Sequence, residues 1–127
     1  MQIKEKKMYN EKVLQHFKDP HNVGTMEDPD GYGEVGSSEC GDTMKMYIKV
    51  DDNKITDIKY QTYGCCAAIA SSSIATDMAL GKTIEEAQAM SKMDIVQELG
   101  GLPEKKIHCS LLAEDALKEA IKDYKSK

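Results

Sequence analysis

Residues 44–50 have the sequence Met-Lys-Met-Tyr-Ile-Lys-Val, in which the apolar side chains at 44, 46, 48 and 50 alternate with two lysines and a tyrosine. Because successive side chains of a strand point to opposite faces, this pattern is typical of a strand with one buried face. The turn-forming residues Asp51, Asp52 and Asn53 follow, and then the β-favouring stretch 55–63. The sequence therefore predicts an antiparallel hairpin, and residues 32–35 are the candidate for a third, edge strand.

Helical patterns flank this hairpin on both sides. A first helix is predicted over 10–18, with Asn10 as its N-cap and Pro20 as its stop. After Gly64 the pattern predicts an Ala- and Ser-rich helix over 66–80 and two short helices with capping-box spacing from Thr83 and from Asp94. Ser110 is the expected N-cap of the last helix. Strands followed by helices predict an α+β fold, with helices packed on one face of a small antiparallel sheet of about three strands.

The composition indicates a single domain over residues 1–127, with residues 1–8 expected to be flexible. The formal net charge is -5 and no basic tract stands out, which argues against nucleic acid as a partner. No apolar run approaches the roughly 20 residues of a membrane helix. Four cysteines without a signal peptide indicate reduced thiols, so we expect a soluble, cytoplasmic protein.

The cysteines lie at the boundaries of predicted elements. Cys40 precedes the first strong strand, Cys65 and Cys66 lie between the hairpin and a helix, and Cys109 precedes the last helix. The free N–H groups at a helix N-terminus lower the pKa of a nearby thiol, and thiolates select zinc, copper(I) or iron–sulfur iron. A single buried cysteine is more often only a small core side chain, and the spacing alone leaves the metal open. The candidate ligands are Cys40, Asp42, Cys65, His108 and Cys109.

Three segments that carry these residues, 40–42, 63–73 and 102–110, resemble the signature segments of IscU/NifU-type iron–sulfur cluster assembly scaffolds. Residues 20–24, Pro-His-Asn-Val-Gly, are also similar to the family's Pro-Arg-Asn-Val-Gly. The resemblance runs from about Tyr9 to Tyr124. It implies the IscU/NifU-like α+β fold and a scaffold, not an enzyme. Such a protein assembles a transient cluster, usually 2Fe-2S, from iron and desulfurase-derived sulfur and transfers it to apo-proteins.

The resemblance also implies roles for individual residues. Cys40, Cys65 and Cys109 would be the thiolate ligands, with Asp42 or His108 in the fourth position, and Cys109 would accept persulfide from a cysteine desulfurase. The other implied partners are apo iron–sulfur proteins, and the implied state is a monomer or a cluster-bridged dimer. Zinc is an alternative occupant, because it binds thiolate and imidazole well. An oxygen or imidazole ligand holds iron more weakly than a thiolate does, which leaves a route for release.

Two segments depart from the family pattern. Cys66 stands where the family usually has glycine, and it is an alternative ligand, a persulfide acceptor or a packed side chain. We favour the packed side chain, because adjacent residues rarely face one metal. Residues 101–105 are closer to the NifU-type segment than to the IscU-type segment that a chaperone binds, which argues against chaperone recognition. His16 and His21 lie outside the site segments and are interpreted as surface or capping groups.

Two other functions would use some of the same residues. A zinc-dependent sulfurtransferase of the SufU type would use similar cysteine and aspartate positions. That type generally lacks a histidine at the position of His108, and the segment between Cys65 and Cys109 is too short for its insertion. A hydrolase with a cysteine nucleophile and His108 as base is disfavoured, because neighbours in sequence usually point apart and no oxyanion-hole glycine motif is present.

Overall fold

The computed structural model describes residues 9–36 and 43–127. The elements in chain order are α1 (Glu11–Lys18), β1 (Gly31–Gly36), β2 (Thr43–Asp51), β3 (Lys54–Tyr63), α2 (Cys66–Ala79), α3 (Ile84–Gln88), α4 (Lys92–Glu98), a 3-10 turn (Glu104–Lys106) and α5 (Ile107–Lys125). The predicted α+β fold is confirmed, with its three strands and the predicted order of helices, although two helix starts differ from the prediction. The expectations for residues 1–8, Cys40 and Asp42 lie outside the described residues. No described helix is both long enough and apolar enough to cross a membrane.

The three strands form an antiparallel sheet in the order β1-β2-β3. Met46 in the central strand is opposite Gly33 on one side and Tyr60 on the other. The turn between β2 and β3 contains Asp52 and Asn53 with φ of 53° and 63°. Two successive residues with positive φ match the twist of a two-residue hairpin, and this explains why Asp and Asn are found there.

The helices cover one face of this sheet. Met44, Met46 and Ile48 of β2 have no exposed surface and belong to a core formed with α2, α3 and α5. The approach of α5 to β1 is very close, because a Cβ atom on Gly33 would overlap the carbonyl oxygen of Ala116 and lie 2.6 Å from the backbone nitrogen of Ala120. Glycine at position 33 therefore sets the distance between the sheet and its longest helix.

A second core lies between helices on the other side of α2. It joins α1, α2, α4 and α5 and contains small residues such as Ala67, Ala70 and Ala113, which let the helices approach closely. Asn10 connects α1 to the end of α4: its Oδ1 accepts a hydrogen bond from Val13 N (2.9 Å) and its Nδ2 donates one to Leu99 O (2.9 Å). This second core holds the N-terminal ends of α2 and α5 together.

Two predicted helix starts are wrong. The helix α5 begins at Ile107 with Lys106 as its N-cap, and Ser110 lies inside it. Ser110 is buried and its Oγ is 2.9 Å from Ser71 Oγ, so its hydroxyl is used in a contact between helices. The second short helix is capped by Ser91, not by Asp94. Asp94 is instead the acidic partner of that capping box, because its Oδ2 accepts a hydrogen bond from Ser91 N at 3.0 Å.

Candidate metal centre

Cys65 is placed by the junction between the hairpin and α2. It is the N-cap residue of α2, with extended backbone angles (φ -76°, ψ 175°), and its side chain is partly buried. The Ala-rich first turn that follows brings the backbone N–H groups of Ala67 and Ala68 close to the sulfur. At this position the helix dipole favours a negative charge, so the local fold supplies the environment that a thiolate ligand needs.

Cys109 lies in the first turn of α5, and it is fully buried. Its Sγ is 3.4 Å from Cys65 Sγ and 3.7 Å from His108 Nε2. The helices α2 and α5 pack side by side, and a buried hydrogen bond joins Ser71, six positions after Cys65, to Ser110, which directly follows Cys109. The structure therefore brings together Cys65, His108 and Cys109 among the predicted ligands.

The charges within this pair of cysteines are unequal. The pKa of Cys65 is lowered to about 5, chiefly by the hydrogen bond from the Cys109 thiol, and further by Ala68 N–H and the positive charge of Lys106. Burial acts in the opposite direction, but it is the weaker effect. The lowered pKa favours the thiolate form of Cys65 near neutral pH, with the proton of the pair shared across the contact between the two sulfur atoms.

The spacing of the two sulfur atoms fits a shared metal ion. Two thiolates on one tetrahedral ion, with metal–sulfur bonds of about 2.3 Å, lie about 3.8 Å apart. The observed distance of 3.4 Å is close to that value, so binding needs only a small movement of the side chains. Two thiolates with a neighbouring imidazole form a soft donor set, which suits iron or zinc.

Three further candidate positions are Cys40, Asp42 and Cys66. Cys40 and Asp42 lie outside the described residues. Thr43, which follows Asp42 in the chain, pairs with Tyr63, two residues before Cys65. Cys66 is the first residue of α2; it is half-buried and packs against the second core. Cys65 and Cys66 thus both touch that core, but the short sulfur–sulfur contact to Cys109 is made by Cys65.

A second group of side chains that could hold a metal ion was not found by sequence reasoning. His16, His21 and Asp77 offer ligand atoms that all lie within 4.8 Å of one another. His16 is buried, with 8% of its surface exposed, and is not the surface group expected from sequence. Burial lowers its pKa, and the nearby His21 lowers it further. No sequence signal marks this group, because Asp77 comes from a different helix, 56 positions after His21.

Comparisons with known proteins find similar sequences over nearly the whole chain. The family described as "NifU-like N terminal domain" matches residues 8–127. The chain is 60% identical over 117 residues to "Iron-sulfur cluster assembly scaffold protein IscU 1" of Archaeoglobus fulgidus, covering 92% of this chain and 76% of that protein. It is 54% identical over 123 residues to "Iron-sulfur cluster assembly scaffold protein IscU" of Escherichia coli (strain K12), covering 94% and 95%.

A solved structure has the same fold over nearly the whole chain. The crystal structure of a nitrogen-fixing NifU-like protein (N-terminal) from Brucella abortus superposes with a TM-score of 0.77 at 25% sequence identity. The superposition covers 94% of this chain and 96% of that chain. The arrangement of three strands and packed helices is therefore common to both molecules.

Proposed function

This chain belongs to the family of NifU-like N-terminal domains, and we propose that it is a scaffold on which an iron–sulfur cluster is assembled and from which the cluster passes to other proteins. Relatives with 60% and 54% identity are named as iron–sulfur cluster assembly scaffold proteins. The observation that carries the proposal is the 3.4 Å distance between Cys65 Sγ and Cys109 Sγ at two adjacent helix N-termini. Neither relative is named as an enzyme, which fits a carrier whose cluster is cargo.

The proposed ligands are three thiolates and one weaker donor. Cys65 and Cys109 provide the two adjacent sulfurs and Cys40 the third, with Asp42 or His108 in the remaining position. His108 is supported by its Nε2, which is 3.7 Å from Cys109 Sγ. Asp42 is supported as a ligand by the pairing of Thr43 with Tyr63. This pairing brings Thr43, the residue after Asp42, to the same end of the sheet as Cys65. The cargo would be a 2Fe-2S cluster, and zinc would be a competing occupant.

The unequal charges of the two thiols suggest an order of events. Cys65, with its pKa lowered to about 5, is ready to bind a metal ion without losing a proton first. The proton that the two sulfurs share must leave before Cys109 binds as well, because thiolates are the metal ligands. His108 Nε2 is the nearby base that can receive that proton. Both helix N-termini then stabilise the negative charge of a thiolate-bound cluster.

The sulfur would come from a cysteine desulfurase as persulfide, with Cys109 as the acceptor. The Cys109 thiolate attacks the outer sulfur of the desulfurase persulfide, a new S–S bond forms on Cys109, and the desulfurase cysteine leaves as a thiolate. One sulfur–sulfur bond is exchanged for another, so the step needs no external oxidant or reductant. The other partners would be apo iron–sulfur proteins, and the proposed compartment is the cytoplasm.

Anaerobic reconstitution tests this function. The chain is incubated with Fe²⁺, cysteine, a desulfurase and dithiothreitol, which supplies the electrons that reduce persulfide sulfur to sulfide. Visible absorption and the iron and sulfide content are measured, and then transfer to an apo-ferredoxin. We expect a coloured cluster in the wild type, none after Cys65→Ala or Cys109→Ala, and an unchanged spectrum after Cys66→Gly. A colourless chain that passes persulfide onward through bound zinc would overturn the scaffold and support the sulfurtransferase.

A further inference from the structure

We propose that His16, His21 and Asp77 form a second metal site, which binds one divalent transition-metal ion such as Zn²⁺. Their ligand atoms all lie within 4.8 Å of one another. His16 comes from α1, His21 from the segment after it, and Asp77 from the last turn of α2. Two imidazoles and one carboxylate are a donor set that suits zinc and other borderline divalent ions, with an open position for water.

The three side chains are already close to the distances that a bound ion requires. His21 Nδ1 is 2.6 Å from Asp77 Oδ2, and the rings of His16 and His21 have centroids 4.9 Å apart. With metal–ligand bonds of about 2.0–2.1 Å, ligand atoms on a tetrahedral ion lie about 3.3 Å apart. An ion that enters between His21 and Asp77 therefore replaces their hydrogen bond with two coordination bonds. The two ligand atoms need to move apart by less than about 1 Å, from 2.6 Å to about 3.3 Å.

The orientation of His16 is fixed by a serine behind it. His16 Nδ1 is 2.7 Å from Ser73 Oγ, and the ring is buried. When Nδ1–H donates to that hydroxyl, Nε2 carries the free lone pair. Metal-binding histidines generally donate their second ring N–H to an acceptor in this way, which fixes both the tautomer and the direction of the ring.

A hydrogen-bond network fixes the other two ligands. Asn22 Nδ2 donates to Asp77 Oδ1 at 2.9 Å, which leaves Oδ2 directed to His21. The backbone N–H of His21 donates to Ser73 Oγ at 2.9 Å. Asn22 itself has a φ of 62° and accepts a hydrogen bond from Tyr60 N at 3.0 Å, so the segment that carries His21 is tied to β3. The site is thus organised before any ion arrives, which lowers the cost of binding.

This site is separate from the cysteine pair and open to solvent. Cys65 and Asp77 are at opposite ends of α2, and the rise of a helix places them about 18 Å apart. The side chains of His21 and Asp77 are 51% and 37% exposed. A surface depression lined by His16, His21, Lys18 and Asp19 gives an ion and its water ligands access. One ion cannot bridge the two sites, so the site adds a second ion per chain.

Zinc binding to the full-length chain tests the proposal. Apo-protein is dialysed at pH 7.5 against buffered free Zn²⁺, and bound zinc per chain is measured. We expect two ions for the wild type, and one for a Cys65→Ser/Cys109→Ser chain. His21→Ala and Asp77→Asn should each lower the affinity of the non-cysteine site for zinc by at least about tenfold. Asp19→Asn is the matched control, because it removes a carboxylate from the same depression, and it should retain both ions.

Two further measurements make the result independent of folding and of cluster chemistry. Nitrogen NMR of the histidine rings should show that Zn²⁺ shifts the signals of His16 and His21 in the Cys65→Ser/Cys109→Ser chain. Co²⁺ bound there should show d–d bands without the thiolate-to-metal charge-transfer band. The proposal is overturned if this chain binds no zinc, if His21→Ala in a folded chain retains its affinity, or if the His16 and His21 signals do not move. None of these results depends on whether the cysteine site carries a cluster.

Discussion

The Sγ atoms of Cys65 and Cys109 are 3.4 Å apart, although 44 positions separate the two residues in the chain. This contact arises because α2 and α5 pack side by side with their N-terminal ends together. Small residues in the second core, such as Ala67 and Ala113, allow that close packing. The geometry of the candidate metal centre therefore depends on helix packing as much as on the loops that carry its residues.

The Cys65 thiol should titrate far below an ordinary cysteine. In the folded apo-protein its rate of alkylation by iodoacetamide should be half-maximal near pH 5, because its pKa is lowered from 9.0 to about 5. Since the pKa is lowered on folding, the thiolate stabilises the fold fully above about pH 9, and this stabilisation is lost as the pH falls to about 5. Mass spectrometry of the labelled chain measures the pH profile.

The substitution Cys109→Ala should raise that midpoint, because the Cys109 thiol makes the largest contribution to the lowered pKa. Cys66→Ala is the control and should leave the midpoint near pH 5. A wild-type midpoint close to 9, or one that does not change with Cys109→Ala, would contradict the assigned hydrogen bond.

Gly33→Ala should destabilise the fold by about 1–3 kcal/mol or more, because overpacking against a rigid backbone has costs of this size. The added Cβ would overlap Ala116 O and lie 2.6 Å from Ala120 N, and neither backbone atom can move without moving α5. Urea unfolding measures the change. Glu34→Ala, at the exposed next position of β1, should change stability by less than about 0.5 kcal/mol. Equal effects of the two substitutions would contradict the close approach of α5.

Asn10 should contribute to stability in two separable ways. Asn10→Ser keeps an N-cap oxygen for Val13 N but removes the donor to Leu99 O, and should cost about 1 kcal/mol. Asn10→Ala removes the cap as well, and should cost about 1 kcal/mol more. Urea denaturation of the three chains gives both differences. If the Ser and Ala variants are equally stable, the side chain does not cap α1 in solution.

Asp42→Ala should slow the release of a reconstituted cluster. A carboxylate binds soft iron more weakly than a thiolate does, so a ligand set with an oxygen donor favours transfer. The rate of transfer to apo-ferredoxin, followed by visible circular dichroism, should be lower than that of the wild type. Asp28→Ala changes an exposed acidic residue elsewhere and should transfer at the wild-type rate. Transfer from Asp42→Ala at that same rate would rule out this role for Asp42.

The sheet was predictable from the sequence because its signals are local. The alternation over 44–50 and the turn at Asp52 and Asn53 are confirmed within about one residue of the observed strand ends. The start of α5 was not predictable, because the hydroxyl that suggested a cap, that of Ser110, bonds to Ser71 in another helix. Likewise, Ser91 and Asp94 are both good caps in isolation, and only the structure shows which one is at the helix start.

The two candidate sites also differ in how far the sequence could predict them. The boundary positions of Cys65 and Cys109 suggested a common site, and the resemblance to a known family implied that both residues are ligands. Their contact itself depends on how α2 and α5 pack. The group of His16, His21 and Asp77 has no counterpart in the sequence pattern, because a helix, the segment after it and a distant second helix each contribute one side chain.

The full burial of Cys109 has a kinetic consequence. A sulfur atom without exposed surface cannot meet a group on another protein until the residues that cover it open locally. The free energy of that opening sets an upper limit on the rate of any reaction at Cys109, whereas partly exposed Cys65 has no such limit. Amide hydrogen exchange at Ile107–Ser110 would measure this opening, and a protein that speeds sulfur delivery would have to speed the exchange too.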